Sequence, residues 1–489
     1  MIILNNSTHP IPQLRVLSDS QCQEIYSNSL EVLQRVGVLV HNQKALEILK
    51  QAGCQVDGER VRIPAGLVQR AVATTPHQFT VFGKTPELDM RIEMDRVHFG
   101  PGPTCTYFID PETGERRRAK RGDAAQVAKM CENLDNMDYL MSLSILDDVT
   151  AVLSPLYEFA EMITHSGKPV AAWATTPEVF DDIYQVAAVI AGGEDKLKEK
   201  PNFAFFGTYE SPLKLADGQT GCMIRAAERG IPVICLGGPT VGLESPPTGA
   251  SALVLYLAAS LSALAIIQLY RPGSAMMIGV ALSAMDLRTA RPAYGSPEMS
   301  LYTAAAMDIA RFLGIPFMGT AGASESKQVD AQAGVEIAFQ ILLSAMSGAP
   351  MVHDVGFLDC ADIGSLELLI LADEAISMAK RILRGVEVTP QTMMVDLIEK
   401  VGPGSNFLSQ SKAVSLCKQE IWVPKIFDRN PYTVWERNGS KSTDERLHER
   451  VLTILDKSHA LPLPEGYPEE IQRILEKAEE RYHISTGTT

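Results

Sequence analysis

The stretch GTAGASESKQVDAQAGVEIAFQILLSAMSGAPMVHDVGFLDC, residues 319–360, decides how the rest of the chain is read. It holds a loop of small residues around Lys327 and Gln328, a helical pattern from about Val329 to Ser347, and a short buried strand, Pro350–Val352. That strand delivers His353, Asp354 and Phe357 into a second loop. Two loops that follow strands, carry polar groups and are separated by one helix are the pattern of neighbouring units in a β/α barrel.

Outward from this stretch the same rhythm recurs. Strand-like runs are VHFG through CTYFI (97–109), DYLMSLSI (138–145), PVAAWA (169–174), FAFFGT (203–208), PVICLGG (232–238), SAMMIGV (274–280), PFMGT (316–320) and PMVHDV (350–355). Helical patterns lie between them, among them 123–134, 155–166, 177–191, 215–229, 249–270 and 297–313. Eight short apolar strands at this spacing, flanked by Pro and Gly, fit parallel strands buried on both faces. No GxGxxG or GxxxxGK[ST] loop follows any of them, so the phosphate-cradling fingerprints of doubly wound sheets are absent. The expected fold is α/β: a TIM-type (β/α)8 barrel over 97–385, with an N-terminal α/β cap over 1–96 and a helical C-terminal extension over 386–489.

The cap is read from local signals. Ser18 and Asp19 cap an amphipathic helix through Arg35, closed by Gly37; a second helix runs from Asn42 to Gln51; Asp57-Gly58 marks a hairpin. In the extension, helices are expected over 391–401, 406–418, 442–459 and 468–482, with Pro462, Pro464 and Gly466 as a linker.

Composition narrows the function classes. Apolar content of 46% and charged content of 21% are those of a globular protein. A net charge of −15 argues against nucleic acid, whose phosphates need a basic face. Eight cysteines without CxxC spacing suit free thiols in a reducing, cytoplasmic compartment. The opening MIILNNSTHP lacks a basic n-region and a long apolar run, so no signal peptide is expected. The uncharged segment 247–270 is long enough to span a membrane, but its Ala, Ser and Gln268 favour a buried helix or a contact in a homo-oligomer; no membrane is expected.

In a barrel the chemistry sits where strands end. There the sequence offers Tyr107, Trp173, Tyr209, Glu210, Gly319, Gly322, His353, Asp354 and Phe357, with Tyr294 in a following loop. Tyr107, Trp173, Tyr209, Tyr294 and Phe357 read either as core packing or as an aromatic cage for a quaternary ammonium, which offers no N–H to bond. Glu210 is a countercharge or a loop ion pair. His353 is an acid/base, a ligand-bonding group or a satisfied structural residue. Lys327 and Gln328 read as anion-favouring helix-start polarity, with Arg288 and Arg291 as other carriers for a ligand carboxylate. The run Arg116, Arg117, Arg118, Lys120, Arg121 is a docking patch or a solvated loop. No HxH, HExxH or paired cysteine spacing supports a resident metal.

With those residues assembled, the chain resembles the trimethylamine methyltransferase superfamily of corrinoid-dependent methylamine methyltransferases. The resemblance rests on DPETGERR (110–117), MDLRTARPAYGSPE (285–298), GTAGASESKQVDAQAG (319–334), HDVGFLD (353–359) with DEAISMAKRILRG (373–385), GPGSNFL (402–408) and WVPKIFDRNPY (422–432). It implies a β/α barrel. Trimethylamine-specific members carry pyrrolysine in the segment similar to GASESKQVDAQAG, and this chain has only standard residues there, the corresponding position being at or next to Gln328. The resemblance to members without pyrrolysine implies a quaternary amine substrate such as glycine betaine, proline betaine, carnitine or choline. It also implies a corrinoid methyl acceptor on a separate partner protein, since the D-x-H-x-x-G cobalt-ligand spacing does not occur in this chain. His353 and Gln328 are then the catalytic expectations, and His353, Gly319 and Gly322 the expected contacts to the corrinoid. The alternatives are a trimethylamine-type methyltransferase, another barrel lyase using His353, and a non-enzymatic betaine-binding protein.

Overall fold

The computed structural model describes residues 1–4, 11–94, 96–458 and 463–486. Seven parallel strands form the barrel wall: β1 Arg96–Pro101, β2 Val170–Ala172, β3 Phe203–Thr208, β4 Val233–Gly237, β5 Met276–Val280, β6 Phe317–Thr320 and β7 Met351–Val355. Neighbours pair in the order β2–β3–β4–β5–β6–β7–β1. The eighth position, between β1 and β2, is held by residues 138–143. Asp138 N donates to Phe99 O, Leu140 N to Pro169 O, and Ala171 N to Leu140 O, at 2.7–2.9 Å. The expected strand DYLMSLSI therefore closes the barrel by isolated ladder bonds; Leu143, at φ +62°, turns its backbone out of the extended region.

After the amphipathic helix α1, Asp19–Arg35, eight helices follow the eight strand positions: α2 Arg121–Asn133, α3 Ser154–His165, α4 Pro177–Ala191, α5 Asp217–Arg229, α6 Gly249–Tyr270, α7 Pro297–Leu313, α8 Ala331–Ser347 and α9 Leu366–Leu383. Local chemistry sets their ends. Ser18 and Gln21 form a reciprocal capping box at α1, and Asp330 Oδ1 accepts from Ala333 N at 3.0 Å to start α8. Gly192, Gly230, Gly314 and Gly348 close α4, α5, α7 and α8 in the left-handed conformation.

Helix α6 carries the membrane-length segment. It is apolar on every side because both sides are buried: β4 and β5 lie beneath it, and α1 and the helix Ala65–Thr74 cover it. Ser29 Oγ on α1 bonds Val254 O at 3.1 Å. Its apolar surface is consumed within the fold, so the sequence argument for a subunit contact at this helix is lost.

The N-terminal cap joins the barrel through a small sheet in which Lys214–Leu215, from the loop after β3, pairs in parallel with Val38–Val40. The hairpin Phe79–Val81/Met90–Ile92 closes the bottom of the barrel. Its Val81, Met90 and Ile92 pack with Ala204, Ile234, Met277, Met318 and Met351 in the lumen. Among the described residues, the other end, where the strands finish, is left for a site that opens on the lumen.

In the extension, α10 Thr443–Lys457 packs on α9 and α2, and α11 Tyr467–Thr486 on α4. The helix expected over 391–401 is split at Met394, φ +51°, into Pro390–Met393 and Val395–Val401. The next runs Ser411–Glu420. Pro462 of the expected linker, and His459 at the end of the helix expected over 442–459, lie outside the described residues.

Candidate active site

Strand parity decides which side chains enter the lumen. Tyr139, Met141, Ala171, Trp173, Ala204, Phe206, Ile234, Leu236, Met277, Met318 and Met351 make its interior. Two positions beyond Met318 and Met351, on the same face, stand Thr320 and His353, paired in register. His353 is 2% exposed, and its ring meets Phe206 edge-on at 5.7 Å. Thr320 Oγ1 donates to Val280 O at 2.6 Å, which uses its only proton, so at 2.9 Å it accepts from His353 Nε2–H. His353 Nδ1 then faces Asp354 Oδ1 at 2.5 Å.

Asp354 is itself buried and held at φ +73°. Asp359, Cys360 and Ala361 follow at φ +49° to +64°, so backbone strain of the kind stored at functional sites is concentrated in this one mouth loop. Burial, reinforced by the Asp354 carboxylate, raises the Tyr139, Tyr294 and Cys105 hydroxyl and thiol pKa values. Those three groups therefore surround Asp354 as neutral species.

The loops of the seventh and eighth units zip together above the strands. Ala321 N donates to His353 O, Gly356 N to Gly322 O, Ser324 N to Phe357 O, Cys360 N to Ser324 O and Asp359 N to Ser326 O. Buried Gln340 on α8 fixes this lattice: its Oε1 accepts from Gly322 N (3.0 Å) and Ala323 N (3.2 Å), and its Nε2 donates to Ala323 O (2.8 Å) and Tyr294 O (3.1 Å). Replacing Gln340 with Met leaves four backbone groups without partners. We expect a loss of about 2 kcal/mol in stability and a raised KM, read by thermal melting and steady-state kinetics.

A second polar centre was not legible in the sequence. Glu158, on α3, is fully buried with its carboxylate against the lumen wall. It accepts from Ser142 Oγ at 2.7 Å, Ser154 Oγ at 2.6 Å and Trp173 Nε1 at 2.8 Å. Burial pushes its carboxyl up to about 7, against the lowering effect of those donors. The available signal was an acid among Leu156, Phe159 and Met162 on an otherwise apolar helix face.

The expected site residues fall into two groups. Trp173, His353 and Phe357 lie in or just above the lumen, and Tyr294 reaches within the field of Asp354. The others do not converge there. Tyr209 packs outside the wall, its hydroxyl donating to Tyr256 O at 3.3 Å and its ring lying where a Cβ on Gly237 would stand. Glu210 is exposed and paired with Lys214 at 2.5 Å. Tyr107 lies in a small sheet above the mouth, its ring covered by the Arg116 and Arg118 guanidinium groups at 4.0 and 4.7 Å.

The two glycines expected at a corrinoid are closely packed. A Cβ on Gly319 would meet Thr303, Ser344 and Ala349 on the helix side, and Gly322, at φ +88°, abuts Val355. Gln328 is exposed outside the mouth, ahead of the Asp330 cap. Lys327 and Arg291 both pair with Asp359, at 3.3 and 3.0 Å, and Arg288 pairs with Asp286 at 2.7 Å. None of these cations is directed into the lumen for a ligand carboxylate. Strand parity sets the placement of Tyr209 and Gly319, and loop ion pairs that of Glu210, Lys327, Arg288 and Arg291.

A closed barrel whose polar groups gather at one sealed-off mouth defines a β/α-barrel enzyme. The same architecture is seen in the crystal structure of the monomethylamine methyltransferase MtmB of Methanosarcina barkeri, with a TM-score of 0.50 over 92% of this chain and 96% of that one, at 12% identity. The sequence profile of trimethylamine methyltransferase (MTTB) matches residues 2–482. The chain belongs to the trimethylamine methyltransferase family and is a methyltransferase. It is 29% identical over 473 residues to the trimethylamine methyltransferase MttB of Desulfitobacterium hafniense, covering 96% of this chain and 95% of that one. To the glycine betaine methyltransferase of the same species it is 30% identical over 448 residues, covering 91% and 93%. The Methanosarcina barkeri MttB is 30% identical over 489 residues, with 96% of each chain covered.

Proposed function

We propose that this chain transfers a methyl group from a quaternary amine, glycine betaine or a close relative, to the reduced cobalt of a corrinoid carried by a separate protein. The observation that carries the reading is the lumen itself. Trp173, Phe206 and Tyr139 line it, and two buried acids stand beside its wall: Asp354, next to His353, and Glu158, bonded to the Trp173 indole N–H. Ring faces with carboxylates close by attract a cation without needing to bond an N–H. Relatives named for trimethylamine and for glycine betaine stand at nearly equal identity, so relatedness alone does not choose between a tertiary and a quaternary amine.

The chemistry favours the quaternary amine. The acceptor attacks one N-methyl carbon in line, the C–N bond breaks, and its electron pair stays on nitrogen, which departs as a neutral tertiary amine. No proton has to be supplied, so the site needs positioning and desolvation above all. His353, fixed between Thr320 and Asp354, orients the substrate in the lumen rather than meeting a docked cofactor, because it is buried beneath the mouth loops. The partner protein docks over that mouth. All eight cysteines are unpaired, which suits a reducing cytoplasm. We assign subunit contacts to the extension, where Val386, Val388, Val395, Leu408 and Val423 are exposed.

The test combines the purified chain, a reduced cognate corrinoid protein and a panel of amines, following cobalt methylation by absorbance. At least one quaternary amine is expected to turn over, with trimethylamine at least about 100-fold slower. Turnover of trimethylamine alone, or of no amine, would overturn the reading.

A further inference from the structure

We infer that Glu158 is a charge switch at the N–H edge of the Trp173 indole: ionised, it makes the indole a strong cation-binding face, and protonated, it weakens that face without disturbing the fold. The inference rests on the quaternary-amine reading above and adds a positioning residue and a mode of regulation to it.

The geometry offers two complete proton arrangements. With Glu158 ionised, three donors point at it: Ser142 Oγ, Ser154 Oγ and Trp173 Nε1. Ser154 Oγ accepts from Leu146 N at 2.9 Å, so its own proton is free to go to Glu158 Oε1. With Glu158 protonated on Oε2, that O–H donates to Ser142 Oγ, and Ser142 turns its hydroxyl to Pro103 O, already 3.2 Å away. Trp173 Nε1–H keeps its acceptor in both states. Buried polar networks are costly when any member is left unpaired; here none is, so the charge can change while the side chains stay.

The groups facing Glu158 are Ser154 on its own helix, Ser142 and the Leu146 backbone N–H from the segment beside it, and Trp173 after β2. None carries a charge, so no neighbouring cation holds Glu158 ionised. A cation brought to the indole face supplies that charge. An opposite charge within a few ångströms lowers a carboxyl by about one unit or more. By linkage, ionised Glu158 favours the cation about tenfold over the neutral acid. Since the carboxyl titrates at about 7, binding strengthens as pH rises through that value and levels off above it.

The probes are glycine betaine, tetramethylammonium and the uncharged isostere 3,3-dimethylbutan-1-ol, titrated calorimetrically into the full chain from pH 6 to 8.5. The expected result is a roughly tenfold fall in Kd for the two cationic probes across that range, with no change for the isostere. Glu158→Gln, which keeps an acceptor for the indole N–H, is expected to bind cations weakly at every pH. Ser142→Ala, which removes a donor to the carboxylate, moves the transition to higher pH. Difference infrared spectra supply a readout free of binding: a protonated-carboxyl band lost between pH 6 and 8, absent in Glu158→Gln, and shifted to lower pH by tetramethylammonium. Cation binding that is flat in pH in the native chain overturns the switch and leaves the quaternary-amine reading standing. Failure of every quaternary ammonium to bind at any pH overturns both. If Glu158→Gln does not fold, the native pH profile, the infrared band and Ser142→Ala still decide the matter.

Discussion

Methyl transfer by a Gly102→Ala variant is expected to fall by about 100-fold or more, with the circular-dichroism spectrum of the native chain retained. Gly102 lies just past β1, and a Cβ there would stand 2.7 Å from Phe357 Cε2 and in hard contact with Asp354 Oδ1. Both side chains are buried, Phe357 at 1% and Asp354 at 3% exposure, so neither can swing into solvent. The backbone cannot retreat freely either, because Gly102 O accepts from Leu143 N at 2.8 Å. The added methyl must therefore displace Asp354, and Asp354 touches His353 Nδ1. A displacement of about 1 Å at a reacting site costs on the order of 100-fold in rate. Overpacking itself costs about 1–3 kcal/mol of stability. Gly122→Ala, on α2 with no atom within 4 Å of its Cβ, is the control and leaves rate and stability near native. Native kcat and KM in Gly102→Ala would show that Asp354 and Phe357 do not shape the site.

The second large effect concerns the extension. Glu374, buried on α9, accepts from the backbone N–H groups of Lys425 (2.9 Å), Ile426 (3.0 Å) and Phe427 (3.3 Å). This explains why an acid in the DEAISMAKRILRG segment and the run WVPKIFDRNPY occur in one chain: the first clamps the second. In Glu374→Ala three amides lose a charged acceptor together, a loss of about 3 kcal/mol given that such bonds contribute about 1.5–3 kcal/mol each and do not add fully. Amide exchange at 425–427 should accelerate by about 100-fold, while amides of β3 to β5 keep their protection. Exchange at 425–427 unchanged from the native rate would mean that the extension is held by α10 and its packing alone.

Much of this architecture was legible before the structure. The eight βα repeats follow from caps, glycines and apolar runs, which act over a few residues and are written locally. Capping by Ser18 and closure by Gly37, Gly192 and Gly314 are of that kind. The loops of residues 319–360 were correctly read as neighbours, because two successive parallel strands in a barrel must lie side by side.

The site was legible only in part. Trp173 and Tyr209 read alike, as aromatic residues at strand ends, yet one faces the lumen and the other α6. Side chains alternate with a period of two, so a single residue of register exchanges inside for outside. Lys327, Arg288 and Arg291 read as free cations, and each is paired with an acid on a mouth loop. Glu158 reads as one more helix acid, and only the packing of α3 against the second and third strand positions brings it to Ser142 and Trp173. The sequence by itself determined the barrel, its order and its family, because those rest on local periodicity and contiguous motifs. Which carboxylates are buried, which rings face inward and which charges are already paired belong to the tertiary structure, because each depends on residues distant in sequence meeting across a wall one side chain thick.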